Sequence, residues 1–135
     1  MDSDADALIG RARESLERAY APYSRFPVAA AVRDERGRMF TGVNVENISF
    51  GLSMCAERVA IFAAITAGAC RITAIAVVSG SAEVLSPCGA CRQVIAEFAS
   101  EDTPVYCCAG AGGTRRWTVA ELLPSGFAAS QLRSR

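Results

Sequence analysis

The sequence predicts an α/β fold of three layers, α-β-α, with helices on both faces of a mixed five-stranded sheet. Three observations predict it. Helical stretches alternate with short apolar runs rich in β-branched residues. Two of those runs, residues 28–32 and 39–45, flank the charged, glycine-containing turn Arg33-Asp34-Glu35-Arg36-Gly37-Arg38, which reads as an antiparallel hairpin. Two others, residues 72–78 and 105–109, are separated by a helix at 88–99, and strand–helix–strand implies a parallel pair.

Each element has its own warrant. Residues 3–20 carry Leu8, Ala12, Leu16 and Ala19 at helical spacing, with charges between them. Asp2, Ser3 or Asp4 can cap this covering helix, and it should end before Ala21-Pro22, because proline disfavours helix in its predecessor. Tyr23 to Pro27 is a loop, and residues 46–54 form a second loop. The helix at 55–67 is apolar on most sides (Val59, Ala60, Ile61, Phe62, Ala63, Ala64, Ile65) and reads as buried, closed by Gly68. Residues 72–78 are continuously apolar, as in a strand covered on both faces. In the helix at 88–99, Val94, Ile95 and Phe98 should face inward. Gly110 to Gly113 is a turn before a short strand at 115–118. Thr118 and Glu121 have capping-box spacing and open a short helix that Pro124 stops. Residues 124–135 are a tail around Phe127 and Leu132. Without a repeat or linker, residues 1–135 read as a single domain.

Bulk composition narrows the function. Lys plus Arg and Asp plus Glu each number 14, so the formal net charge is zero. No basic excess is available to neutralise a phosphate backbone, which argues against a nucleic acid polymer as partner. The chain has no histidine, so any general base is Glu, Asp, Cys or Tyr; lysine is absent too, and every basic residue is arginine. The acidic start, Met1 to Asp6, lacks a signal-peptide pattern, and no apolar run approaches membrane-spanning length. A reducing, cytoplasmic location is expected, with the six cysteines as thiols or ligands. Cys70, Cys107 and Cys108 have apolar neighbours and read as small buried hydrophobes.

The other three cysteines carry the chemistry. Cys55-Ala56-Glu57 is followed 33 residues later by Cys88-Gly89-Ala90-Cys91. Three thiolates suit one Zn²⁺, and three protein ligands leave a fourth tetrahedral position for water. Cys88 and Cys91, three apart, share a face of a first helical turn. Cys55 and Glu57, two apart, would diverge by about 200° in a regular helix. Cys55 therefore belongs at the helix boundary, with Glu57 in the first turn. Both ligand groups then lie at helix N-termini, where unpaired N–H groups favour thiolates. The two ligand helices should lie side by side on one face of the sheet, since both serve one ion. Three thiolates on Zn²⁺ leave a net negative charge that opposes ionising a bound water. Arg58, next to Glu57, is the candidate to offset it by donating to the sulfurs.

Cys-Ala-Glu with Pro-Cys-x-x-Cys resembles the zinc-deaminase signature, with Cys in place of the commoner His. Over nearly its whole length the chain resembles the small homotetrameric cytidine deaminases. The matching segments are Tyr20-Ala21-Pro22-Tyr23-Ser24-Arg25-Phe26, Gly42-Val43-Asn44-Val45-Glu46-Asn47, Cys55-Ala56-Glu57-Arg58, Ser86 to Gln93, and Leu122-Leu123-Pro124-x-x-Phe127. The resemblance implies a cytidine deaminase-like fold, one Zn²⁺ per subunit and shared active sites in a homotetramer. It implies that Asn44 and Glu46 bind the ribose hydroxyls, that Phe26 lies against the pyrimidine, and that the backbone around Ala56 contacts the base. Phe127 resembles a phenylalanine that reaches a neighbouring subunit's site, so the tail at 124–135 is expected at a subunit interface. Two positions depart from the family pattern. Ala29 stands where glycine is common and should crowd a strand near the base pocket; Phe50 stands where tyrosine is common and lacks its hydroxyl.

The expected activity is hydrolytic deamination of cytidine and 2′-deoxycytidine to uridine and 2′-deoxyuridine, as in pyrimidine salvage, with Glu57 as the proton shuttle. Three other readings compete. A cytosine-containing antibiotic such as blasticidin S would use the same fold, but Asn44 and Glu46 favour a plain ribose. A non-catalytic structural zinc module needs a fourth protein ligand, and no further cysteine lies near either motif. A polynucleotide editor is disfavoured by the charge balance.

Overall fold

The computed structural model describes residues 3–133. Its α-helices and strands are α1 (Ser3–Ser15), β1 (Val28–Asp34), β2 (Met39–Val43), α2 (Ala56–Thr66), β3 (Ile72–Ser79), α3 (Gly89–Phe98), β4 (Pro104–Cys108), β5 (Thr114–Thr118), α4 (Val119–Leu122) and α5 (Ala129–Arg133). The strands form one sheet in the order β2-β1-β3-β4-β5. β3 and β4 are parallel, as the crossover predicts, and β1 and β2 antiparallel, as the hairpin predicts; β1–β3 and β4–β5 are antiparallel as well.

Alternation along the strands divides the core into two layers. Ala30, Val32, Ile75, Val77, Val105 and Cys107 face α2 and α3. Ala31, Ala76, Val78, Tyr106 and Cys108 face Ala5, Leu8, Ile9 and Ala12 of α1. α2 and α3 pack against each other on one face, and α1 covers the opposite face. The sheet is thus covered on both sides, which is why its central strands tolerate continuous apolar sequence.

The local signals act as their chemistry dictates. The hairpin turns through Gly37 at φ 81°, with the Asp34 N–H donating to Arg38 O at 2.9 Å. Gly68, at φ 98°, follows the α2 C-cap residue Ala67 in the left-handed conformation that closes a helix. Thr118 and Glu121 form a reciprocal capping box at α4. Gly42 permits a close approach: a Cβ there would lie 2.4 Å from the Ala60 backbone nitrogen and 2.7 Å from the Ala56 carbonyl. The N-terminal half of α2 therefore rests directly on the β2 backbone.

Several expectations need correction. The first helix ends at Ser15, and Leu16–Arg18 is a 3₁₀ turn. The Ser15 hydroxyl donates back to the Arg11 carbonyl at 3.2 Å, a bond that competes with continued helix. Asp2, offered as a cap, lies outside the described residues. α2 is not buried all round: Phe62 and Ala63 are exposed in the single chain. Cys70 is exposed rather than buried. It lies between α2 and β3, and its backbone N–H donates to Glu35 at 3.2 Å. Cys107 and Cys108 are buried as expected. Ala29 is fully buried in β1. The tail contains a short helix, α5, that the sequence pattern did not reveal.

Candidate active site

Two helix starts build the sulfur end of the site. Cys55 is the N-cap of α2, at φ −73° and ψ 150°, and Cys88 is the N-cap of α3, at φ −66° and ψ 164°. Extended backbone at each cap turns its side chain off the helical path, which resolves the angular conflict between Cys55 and Glu57. Cys91 follows within the first turn of α3 and is buried. The three sulfurs lie within 4.8 Å of one another. Cys55 Sγ and Cys88 Sγ are 3.8 Å apart. Two sulfurs at tetrahedral Zn–S distances of about 2.3 Å would be separated by roughly 3.8 Å. Donor type and spacing both fit zinc.

Arg58 extends along this cluster, and its Nη2 donates to Cys55 Sγ at 3.4 Å. Its Nε is buried without a protein partner. The Cys55 thiol is pulled down to about 5, first by the Cys91 thiol that donates to it and then by Arg58 and Cys88. The Cys91 thiol is pushed up, because its proton is held by the Cys55 sulfur and its surroundings are dry. Three thiols crowded together cannot all ionise without a compensating cation. Glu57, the second residue of α2, is 5% exposed, and burial pushes its carboxyl above the ordinary range. Its own backbone N–H opposes that rise, and the Cys55 charge adds to it.

A cavity of about 360 Å³ opens from these groups. Cys55, Ala56, Glu57 and Cys88 line one end; Ser24, Phe26, Asn44 and Glu46 line it elsewhere, with Leu85 and Ser86. Asn44 and Glu46 lie on an extended segment held from both sides. Tyr20 N donates to Asn44 O and Glu46 N to Tyr20 O, each at 2.9 Å, while Val45 exchanges backbone bonds with Met54. Period-two spacing then puts both side chains on the cavity side. Asn44 Oδ1 accepts from Val28 N at 3.0 Å, and its Nδ2 donates to Phe26 O at 2.9 Å. Glu46 Oε1 accepts from the backbone N–H groups of Tyr23 and Ser24, both at 3.0 Å, and Oε2 accepts from the Ser24 hydroxyl. These donors, the Ser24 hydroxyl foremost, hold the Glu46 carboxyl below its usual range.

Most of the residues singled out from sequence therefore meet at one cavity. Cys91 stands behind it and Arg58 beside the sulfurs. Phe127 does not line it: the ring is exposed, and the Phe127 carbonyl accepts from Gln93 Nε2 at 3.0 Å. Phe50 is exposed beside Tyr23, with ring centroids 6.0 Å apart. Sequence reasoning assigned no role to Ser24 or Arg92. Arg92 donates to Pro87 O at 2.7 Å, Ser86 Oγ at 2.6 Å and Leu122 O at 2.9 Å, bracing the segment that leads into Cys88. Both residues lie inside the segments that carry the resemblance, but nothing local marks their partners.

Three clustered thiols at two helix N-termini, beside a buried carboxyl on an α-β-α frame, define the zinc-deaminase class of enzyme. Comparison with known proteins agrees. Residues 2–107 match the family model described as the cytidine and deoxycytidylate deaminase zinc-binding region. The chain is 44% identical over 129 residues to a cytidine deaminase of Sporosarcina psychrophila, covering 96% of this chain and 95% of the relative. It is 41% identical over 135 residues to a cytidine deaminase of Mycobacterium tuberculosis, covering 97% and 95%. The crystal structure of a cytidine deaminase from Burkholderia pseudomallei superposes with a TM-score of 0.87 at 43% identity, covering 94% of this chain and all of that one. The chain belongs to the zinc-binding cytidine and deoxycytidylate deaminase family, and its Cys55–Cys88–Cys91 group is able to hold one metal ion.

Proposed function

We propose that the protein hydrolyses free cytidine and 2′-deoxycytidine to uridine and 2′-deoxyuridine, releasing ammonia, as a pyrimidine-salvage enzyme of the cytoplasm. The observation that carries this reading is the buried Glu57 carboxyl beside the three thiols, at one end of a nucleoside-sized cavity. Cys55, Cys88 and Cys91 would hold zinc, with Arg58 offsetting the charge of the sulfurs. When bound, the ion supplies Lewis acidity that brings the pKa of a water ligand to about 7. Glu57 takes a proton from the attacking water and gives it to ring N3, which makes C4 electrophilic. It then passes a second proton to the amino group, which leaves as ammonia.

The rest of the cavity suits a nucleoside. Phe26 offers a ring to the pyrimidine, the backbone at Ala56 can meet the base edge, and Asn44 with Glu46 can bond sugar hydroxyls. Among the described residues no arginine lines the cavity, and Glu46 and Glu57 are both acidic. A phosphorylated sugar would meet carboxylates with no cation to pair with. That favours a free nucleoside over a nucleotide or a polynucleotide.

A homotetramer of single-domain subunits suits the surface. Ile48, Phe50, Leu52, Phe62 and Phe127 are large, apolar and exposed in the single chain. In that assembly the tail at 124–135 would pack at a subunit interface and Phe127 would reach a neighbour's cavity. No helix among the described residues is long and apolar enough to cross a membrane.

The test is the ultraviolet change on incubation with cytidine, with and without a zinc chelator. Deoxycytidine, cytidine 5′-monophosphate and blasticidin S are run in parallel. Chelator-sensitive turnover of both nucleosides, with the monophosphate and the antibiotic inert, is expected. Preferred turnover of the monophosphate or of blasticidin S would overturn the substrate assignment.

A further inference from the structure

Resting on the reading of Glu46 and Phe26 as substrate-binding groups, we propose that Ser24 is a positioning residue that sets the preference for sugars with free hydroxyls. Its hydroxyl joins two parts of the cavity. It donates to Glu46 Oε2 and accepts from the Phe26 backbone N–H at 3.1 Å.

Glu46 is constrained by these contacts. A carboxylate offers about four lone-pair positions. The Tyr23 and Ser24 N–H groups occupy Oε1, and the Ser24 hydroxyl takes one position on Oε2. Little acceptor capacity remains, and its direction is fixed by the other three bonds. A group in that state selects for a donor in one place, such as a sugar hydroxyl. Without the Ser24 hydroxyl, Oε2 has no protein partner to orient it.

The segment carrying Phe26 is held from the same residues. Its N–H is bound by Ser24, its carbonyl by Asn44 Nδ2, and Val28 N by Asn44 Oδ1. Between Ser24 and Phe26, Arg25 sits at φ 57°, a left-handed conformation that a non-glycine residue adopts at a cost. Contacts on both sides maintain it, with Arg25 N donating to Ala21 O at 2.9 Å. The Ser24 hydroxyl is therefore the link through which the carboxylate and the ring keep one geometry. Glu57 is carried separately on α2, so losing that link should affect binding far more than chemistry.

The experiment compares cytidine with 2′,3′-dideoxycytidine on wild type, Ser24→Ala, Ser24→Thr and Glu46→Ala, with zinc content measured for each. Ser24→Ala should raise KM for cytidine about tenfold, the scale of one hydrogen bond to a charged group. Its kcat should stay within about twofold, the pattern of lost binding rather than lost transition-state contact. Its preference for cytidine over the dideoxy analogue should shrink, and Ser24→Thr, which keeps the hydroxyl, should recover it. If Glu46→Ala loses the preference while Ser24→Ala keeps it, the role of Ser24 is overturned and the reading of Glu46 stands. If both keep it, the reading of Glu46 falls as well. A fall in kcat with loss of zinc in Ser24→Ala would show a merely structural residue and overturn the proposal.

Discussion

The cavity has two ends that are satisfied in different ways. At the polar end, Asn44 and Glu46 already have protein partners: each side chain is bonded to the loop that carries Phe26. At the sulfur end, three thiols share one site, a carboxyl is buried with a raised pKa, and Arg58 Nε has no protein partner. The polar end is complete as folded and can be read as preorganised for binding. At the sulfur end all three thiols can ionise only with a cation to balance them, which is where chemistry is expected. Losses at the sulfur end should therefore appear in turnover and metal content, and losses at the polar end in KM.

The largest expected effect breaks the sulfur end without removing the ion. Glu57→Gln should retain zinc and lose about 10²–10⁴-fold in kcat, the range of a general acid–base group. Near-normal turnover would show that Glu57 is not the shuttle. Next, Cys88→Ser should release zinc under a chelator challenge that leaves the wild type loaded, and should unfold at lower temperature, since metal binding contributes to folding. Metal content equal to wild type after the challenge would remove Cys88 from the ligand set. Gly42→Ala forces a Cβ against the α2 backbone and should cost about 1–3 kcal/mol in denaturant unfolding. An unchanged midpoint would mean that α2 is not held by that contact.

At the polar end the effects are smaller. Glu46→Ala should raise KM for cytidine about tenfold, equivalent to ~1.4 kcal/mol, with little change in kcat. A fall in kcat alone would contradict the division between the two ends. The smallest effect is on acid stability. The Glu46 carboxyl is held below the ordinary glutamate value of 4.5, so its contribution is present above that pH and is lost as pH falls through the lower folded value. Glu46→Gln should therefore lose less stability than wild type as pH falls from about 5 to about 3, read as the change in Tm. Equal losses would mean that Glu46 gains nothing from its donors.

How legible each end was in the sequence follows from the separation of its partners. The sulfur end rests on short spacings, Cys55 to Glu57 and Cys88 to Cys91, and helix geometry alone placed them at two N-termini. Two strand pairings were legible for a similar reason: a crossover helix and a charged turn each dictate one, whereas the β1–β3 pairing that joins them had no local signal. The polar end depends on partners 16 to 23 residues apart, joined by Asn44 and Glu46 across a loop. No local pattern announces those bonds, so the roles of Asn44 and Glu46 come from the resemblance alone, and nothing in the sequence marks Ser24. Cys70 and the exposed face of α2 at Phe62 were misjudged because apolar sequence does not distinguish a domain core from a surface. α5 was missed because Ala129 to Arg133 spans little more than one turn, too short for a periodic signal.

X-ray absorption at the zinc edge of the loaded protein tests the central claim most directly. The account predicts three sulfurs at about 2.3 Å and one oxygen at about 2.0–2.2 Å, an oxygen shell that persists in Glu57→Ala because it comes from solvent. Four sulfurs, fewer than three, or an oxygen shell that disappears with the Glu57 carboxylate would contradict it.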